Sequence, residues 1–559
     1  MQMNQSKLVV NVSPSSSLKD LLNLYRESSD DIVLVDEISV ISEPHLQLLT
    51  EYPRSASAAL AGKHEDNFNI LARGGRIVSA QSATHTATKV NKTFAGAIRL
   101  SKAQASEIEP VLENAIRADA TGNALDLLLV ALVRANIRVD VAEIKEAPFA
   151  RTIDSRAREA VKQELAALNI PRLRLKMANR AVDGFFSILV LRRLSKPLTW
   201  LAVKIGATPN QVTITSFGIG LLAAYFFAQG DTFSLVLGAL LLQLSIVVDC
   251  VDGELARYTR TFSELGAWLD AITDRVKEYV VFLGLAYGAF VQNGSNLWLM
   301  AALLMILQTF RHLSDYNFTQ VSKARASEVQ PLVVDFLAKW DGIELKNDPD
   351  ESAEPERNET LRRIRYWLGK MIVFPIGERW LLISATAAIG GAMFTFTVMP
   401  LFAFISMFWV YRVRIRKTLD MAKTKIQSRV IERQLDLGFE RTPVLTRFDW
   451  IEPSLLRGLE LLVMTFVLLA TQNLGVAGFV VLLSIAYHHY DNLYRAMQNE
   501  SKPKWLGILG LSVPGRLILV SAFALAGFSM SLLAIYFAVV FLGVSSAQWV
   551  ISHRTKLSS

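Results

Sequence analysis

Asp249-Cys250-Val251-Asp252-Gly253-Glu254-Leu255-Ala256-Arg257 closes one long apolar run, and Gly266-Ala267-Trp268-Leu269-Asp270-Ala271-Ile272-Thr273-Asp274 opens the next. Carboxylates at the ends of segments apolar enough to enter a bilayer are costly unless paired or ligated, so four aspartates there mark a functional site. Their spacing sharpens this. Asp249 and Asp252 stand i, i+3 on one helix, Asp270 and Asp274 i, i+4 on the next, so each pair shares a face. Antiparallel helices joined by a short loop bring those faces together, and like charges gathered there need a cation. Oxygen-only ligands select hard divalent ions (Mg²⁺, Mn²⁺ or Ca²⁺) over zinc, and a two-metal clamp suits substitution at phosphorus. Gly253 and Gly266 leave room for a ligand at the backbone, and Arg257 offers a planar fork for phosphate.

Around this stretch, residues 212–228, 233–251, 266–291, 297–310, 380–397, 400–412, 456–470, 475–488, 516–529 and 531–548 form apolar runs, which predicts ten membrane crossings. A wholly soluble protein is excluded. The turns Ala228–Asp231, Gln292–Asn296, Val398–Pro400, Thr471–Asn473 and Gly527–Ser529 carry no Lys or Arg, whereas the alternate connections carry Arg257 and Arg260, Arg362-Arg363-Ile364-Arg365, Arg412–Lys417 and Arg495–Lys504. The positive-inside rule then places both termini and the aspartates on the cytosolic side. The formal net charge of +8 flanks the apolar runs, which points to anionic lipid and not to nucleic acid. A single cysteine, Cys250, excludes an internal disulfide.

Residues 1–167 alternate strand-like runs (Leu8–Val10, Ile32–Val35, Ala95–Leu100, Ile137–Ile144) with helical patterns near 103–117 and 123–135, an α/β layout. Met1–Val12 has no basic segment followed by a continuous apolar core, so this domain is expected in the cytosol. Its order resembles the sugar-nucleotide transferase fold. The loop after the first strand reads Asn11-Val12-Ser13-Pro14-Ser15-Ser16-Ser17, without the glycines a phosphate loop needs, so the expectation is a degenerate nucleotidyltransferase-like domain. Asp36 and Glu37 after the second strand are candidate metal ligands. Residues 168–210 interleave Arg172, Arg174, Lys176, Arg180, Arg192, Arg193, Lys196 and Lys204 with Phe185, Phe186, Trp200 and Leu201, as in an amphipathic helix in the headgroup layer.

The run Asp252-Gly253-x2-Ala256-Arg257-x8-Gly266-x3-Asp270-x3-Asp274, with Asp249 three residues ahead, resembles the signature of the CDP-alcohol phosphotransferases, also called CDP-alcohol phosphatidyltransferases. Thr208-Pro209-Asn210-Gln211-Val212-Thr213 also looks like the start of that family's membrane half. The resemblance covers about residues 172–415. It implies a six-helix transferase bundle over 211–415; with the apolar runs that predict about four further transmembrane helices over 416–559 and the N-terminal cytosolic α/β domain, the expectation is an α-helical polytopic membrane protein. Such enzymes cleave a CDP-linked donor, release CMP and pass the phosphate-bearing group to an alcohol. By resemblance, Asp249, Asp252 and Asp270 ligate metal, expected as two ions of Mg²⁺ or Mn²⁺, Asp274 is the general base near them, and Gly253, Ala256, Arg257 and Gly266 line the CDP site.

Asp183-Gly184-Phe185 and the fused N-terminal domain resemble enzymes that join a cytidylyltransferase to an inositol-phosphate-transferring membrane half. CDP-diacylglycerol is the expected donor, for phospholipid synthesis at the cell membrane; soluble CDP-inositol and a non-enzymatic scaffold on a retired transferase are the alternatives. A second copy of the chain is a candidate partner. Arg379, Arg362 and Arg365 are candidate contacts for a phosphorylated alcohol. Glu460 and Arg516 are expected to pair across helices, and His488-His489 is a weak metal candidate, because adjacent helical residues diverge by about 100°.

Overall fold

The computed structural model describes residues 9–50, 56–63, 69–73, 75–87, 90–119, 121–178, 184–326, 367–420, 426–427, 444–445, 448, 450–497 and 502–558. The chain divides into two compact units, one of Met1–Met177 with Val329–Pro355, the other of Ala178–Glu328 with Glu356–Ser559.

The first unit runs β1 (Val9–Val12), α1 (Leu18–Glu27), β2 (Ile32–Asp36), β3 (Ser39–Val40), α2 (Glu43–Thr50), β4 (Ser57–Gly62), β5 (Ile70–Arg73), β6 (Arg76–Ala80), β7 (Thr93–Leu100), α3 (Ala105–Arg117), α4 (Ala124–Arg134), β8 (Val139–Glu143), β9 (Ala150–Arg151), α5 (Ser155–Ala166) and α6 (Ile170–Met177). Seven strands form one sheet in the order β1-β2-β7-β4-β8-β6-β5, parallel at β1–β2 and β4–β8. Strand alternation sorts β2 between two cores: Ile32 and Leu34 join one with Leu21, Leu112 and Leu128, while Val33 and Val35 join another with Leu49, Leu60 and Phe149. The strand β4, Ser-Ala-Ala-Leu-Ala-Gly, is buried throughout and has no sequence signal, because its small residues have low strand propensity and are buried on both faces.

His45 is buried here. Its Nε2 accepts from Lys145 N at 3.3 Å and its Nδ1 lies 2.6 Å from Ser42 Oγ, so the neutral ring uses both nitrogens. Burial pushes its pKa from 6.5 down to about 4. The unfolded chain therefore takes up the proton first. This unit is expected to lose stability as pH falls from about 6.5 through about 4, seen as falling amide protection factors over residues 43–50 once the intrinsic pH dependence of exchange is divided out; protection factors that stay constant with pH would contradict it.

The second unit contains α7 (Arg192–Lys204), α8 (Pro209–Gln229), α9 (Thr232–Thr259), α10 (Glu264–Asn293), α11 (Trp298–Ala326), α12 (Ile376–Asp420), α13 (Glu452–Ala470), α14 (Val476–Met497), α15 (Lys504–Gly510), α16 (Val513–Leu525), α17 (Met530–Phe537) and, after a π-helical stretch Ala538–Ser545, α18 (Ser546–Ser558). All ten apolar runs fall on helices, but only six helical segments among the described residues are long and apolar enough to cross a membrane: Pro209–Gln229, Thr232–Thr259, Ile376–Leu419, Glu452–Ala470, Lys504–Leu525 and Met530–His553. The helices α10, α11 and α14, which carry three more of the apolar runs, are not among them. On α10, no residue from Trp268 to Ala286 is exposed, so protein covers its charges.

The two runs at 380–397 and 400–412 meet at a different place from the expected turn at Val398–Pro400. Pro400 lies inside a helix, and the break is at Gly391, with φ 68° and ψ −166°. Thr386 Oγ1 lies 3.1 Å from Thr395 Oγ1, and Ser406 Oγ donates to Val373 O at 3.0 Å. A straight helix would put Thr386 and Thr395 about 13 Å apart, so α12 folds back at this glycine. The turns after α8 and α10 do lie where the base-free loops predict. There α8 and α10 pack backbone to backbone, because a Cβ at Gly284 would strike Ala224 O and one at Gly288 would strike Phe227 O.

Candidate active site

Local capping sets up the helix pair. Arg260 takes a left-handed conformation (φ 59°) to end α9, and Ser263 Oγ accepts from Gly266 N at 2.9 Å to start α10. A four-residue connection joins the two helices, and both pack against α8. Beside them, Thr208 and Gln211 form a capping box that starts α8.

Asp249, Asp270 and Asp274 each offer a carboxylate oxygen within 4.8 Å of the others, and they form the one such acidic group among the described residues. Asp252, on the same helix as Asp249, instead accepts from Thr213 Oγ1 at 2.6 Å and faces a cavity of about 540 Å³. Gly253, Ala256, Arg257, Gly266 and Asp270 line that cavity with Asn210 of α8. The Arg257 guanidinium lies against Gly253 and donates from Nε to Ala178 O. All the candidate metal and CDP residues are therefore in one place. Hard carboxylate oxygens without sulfur or imidazole fit a divalent ion such as Mg²⁺ or Mn²⁺.

Sequence reasoning missed Lys277. Its buried Nζ lies 2.6 Å from Asp249 Oδ1, 3.1 Å from Asp274 Oδ1 and 2.9 Å from Ser216 Oγ. Its position three residues after Asp274 puts it on the same face, which was a readable signal. Ser216 of α8 was missed because a hydroxyl in an apolar run carries no signal, and Thr213 was read only as part of the stretch that opens the membrane half.

Glu254, inside the same motif, points away from the aspartates. Arg192 Nη1 and Ser195 Oγ each donate to its Oε1 at 2.8 Å, and Thr199 Oγ1 donates to its Oε2 at 2.6 Å, which fixes α7 to α9. The exposed Leu194, Trp200 and Leu201 of α7 suit a helix on a lipid surface.

Arg379 is buried and grips Glu278 through two 3.0 Å bonds, from Nε to Oε1 and from Nη2 to Oε2. The structure does not bring it to the cavity. Arg362 and Arg365 lie outside the described residues. Glu460 does pair with Arg516, Nε to Oε1 at 2.7 Å, and His489 Nε2 lies 3.0 Å from Glu460 Oε2 while His488 packs on Phe541. In the first unit, Arg151 Nη2 and Nε sit 2.9 and 3.0 Å from Asp36 Oδ2, with Asn123 Nδ2 at 3.0 Å. A guanidinium thus satisfies the strand-end carboxylate proposed for a metal.

Residues 207–337 match the family model of the CDP-alcohol phosphatidyltransferases, so this helix bundle carries that domain, one of transferases for substituted phosphate groups. A second model, of a family of unknown function, matches residues 379–558. Relatives include a bifunctional IPC transferase and DIPP synthase of Thermococcus kodakarensis, 37% identical over 142 residues, 25% of this chain and 31% of that protein. An archaetidylinositol phosphate synthase of Pyrococcus horikoshii is 38% identical over 103 residues, 18% of this chain and 50% of that protein. A phosphatidylinositol phosphate synthase of Mycobacteroides abscessus is 31% identical over 127 residues, 22% of this chain and 56% of that protein. The chain thus spans about a third to a little over half of these relatives. The inositol-1-phosphate CTP transferase structure from T. maritima aligns with 28% of this chain and 64% of its own at 14% identity and a TM-score of 0.22, too low to bear on function.

Proposed function

We propose that this chain is a metal-dependent membrane transferase that moves a substituted phosphate from a CDP-linked donor to an alcohol and releases CMP. The observation that carries this is the meeting of Asp249, Asp270 and Asp274 within 4.8 Å beside the cavity lined by Asp252, Gly253, Ala256, Arg257 and Gly266. Asp249, Asp252, Asp270 and Asp274 hold divalent metal, Mg²⁺ or Mn²⁺ as two ions. Metal held by these carboxylates would supply neutralising charge to the diphosphate and to the departing CMP. Arg257 forks the phosphate, and Gly253, Ala256 and Gly266 let the donor approach the helix backbone. Asp274 takes the proton from the attacking hydroxyl.

The donor we favour is CDP-diacylglycerol and the acceptor inositol phosphate, a reading supported by the two relatives named for lipid-linked inositol phosphate synthesis. The relative named a bifunctional IPC transferase supports CDP-inositol as the second reading. The base-free turns support a cytosolic active site in the cell membrane. Purified protein with labelled CDP-diacylglycerol or CDP-inositol, inositol phosphate and Mg²⁺ is expected to release CMP with one donor. Release with neither would leave a retired scaffold.

Arg257→Ala is expected to raise the donor KM about tenfold with a smaller change in kcat, because a charge-assisted phosphate contact is lost. An unchanged KM in steady-state assays would remove the phosphate role.

A further inference from the structure

We propose that the C-terminal membrane helices brace α10 from behind, setting the rotation at which Asp270 and Asp274 meet Asp249, and that Tyr490 is the positioning residue at the centre of this brace. At about 100° per residue, Asp270, Asp274 and Lys277 occupy one 60° sector of α10. Glu264, Trp268, Arg275 and Tyr279 occupy another, about 140° round the helix. Every member of this second stripe meets the C-terminal half. His553 Nε2 lies 3.6 Å from Glu264 Oε2, and the Trp549 ring is 5.8 Å from Trp268. The Arg275 guanidinium stands 6.0 Å from the Tyr490 ring centre, and Tyr490 Oη is 3.1 Å from Tyr279 Oη.

The contact is built to hold one geometry. Tyr490 Oη also bonds His312 Nδ1 of α11 at 3.0 Å, and Tyr279 Oη bonds Thr309 Oγ1 at 2.8 Å, so the paired hydroxyls tie α10, α11 and α14 together. Burial leaves these hydroxyls no water to exchange with, which favours the fixed arrangement over rotation of α10. Arg275 and Asp274 are consecutive, so turning α10 to break the first contact also swings the second out of the acidic cluster. This gives the region that matches a family of unknown function a role in the same reaction, and it rests on the transferase reading for its activity readout.

The test is Tyr490→Phe in the full chain, which keeps the ring and removes the hydroxyl. The expected result is roughly a tenfold loss of kcat with donor KM within about twofold, because displacement of catalytic groups costs turnover more than donor binding. Mn²⁺ affinity is expected to weaken severalfold, and amide exchange over 264–279 to quicken. Tyr279→Phe should behave alike, and the double variant should lose less than the two single losses combined. Wild-type kcat, Mn²⁺ affinity and exchange in Tyr490→Phe would overturn the brace. If the wild type neither releases CMP nor binds Mn²⁺, the transferase reading fails instead, and exchange over α10 then decides the brace alone.

Discussion

Asp274→Asn is expected to cut CMP release by about 10³-fold or more while the protein still binds its CDP-linked donor. The substitution keeps the size of the side chain and removes the group that can take a proton. Asp249, Asp252 and Asp270 remain, and Lys277 keeps its 2.6 Å contact with Asp249, so the cavity keeps its shape. Single-turnover CMP release together with equilibrium donor binding separates the two effects. Turnover near the wild-type rate would remove Asp274 as the base, and loss of donor binding would make it chiefly a ligand.

Chelation is the second large effect. EDTA is expected to abolish turnover, and Mg²⁺ or Mn²⁺ to restore it, because the clustered carboxylates have hard oxygen donors alone. Asp270→Asn should raise the metal concentration needed by about a hundredfold, since even outer groups around a metal contribute 10- to 100-fold. A Mn²⁺ titration followed by electron paramagnetic resonance measures this directly. Equal affinity in the variant would exclude Asp270 from the metal site.

The grouping of the candidate residues was largely legible because their spacing is local. The i, i+3 and i, i+4 spacings of the aspartates, and one short loop, fix which faces meet. Lys277 obeys the same spacing, but a lone lysine near a membrane segment first suggests topology, and only the 2.6 Å contact with Asp249 assigns it to the acidic cluster. The fold-back of α12 was misplaced for a different reason. Proline is the stronger sequence sign of a break, yet Gly391 supplies the left-handed backbone that a reversal requires, and Pro400 sits within a helix. Arg379 looked available for a ligand because its partner Glu278 lies 101 residues earlier in the chain. The Tyr279–Tyr490 contact, separated by 211 residues, had no sequence signature at all.

The protein-covered span of α10 has a consequence for how the chain is made. Asp270, Asp274, Arg275, Lys277 and Glu278 fall within nine consecutive residues. An insertion machine that tests each segment alone charges up to about 2.5 to 3.5 kcal/mol for Asp, Lys or Arg, the full cost falling at mid-helix, so this cluster in the first half of α10 weakens the segment's own partitioning into lipid. Asp249 is already in place ahead of it, but its partners Arg379 and Tyr490 arrive later, the last more than 200 residues downstream. A late, collective completion of the bundle is the expected course, and a ribosome-bound chain halted before residue 490 should leave α10 at the translocon instead of in the bilayer.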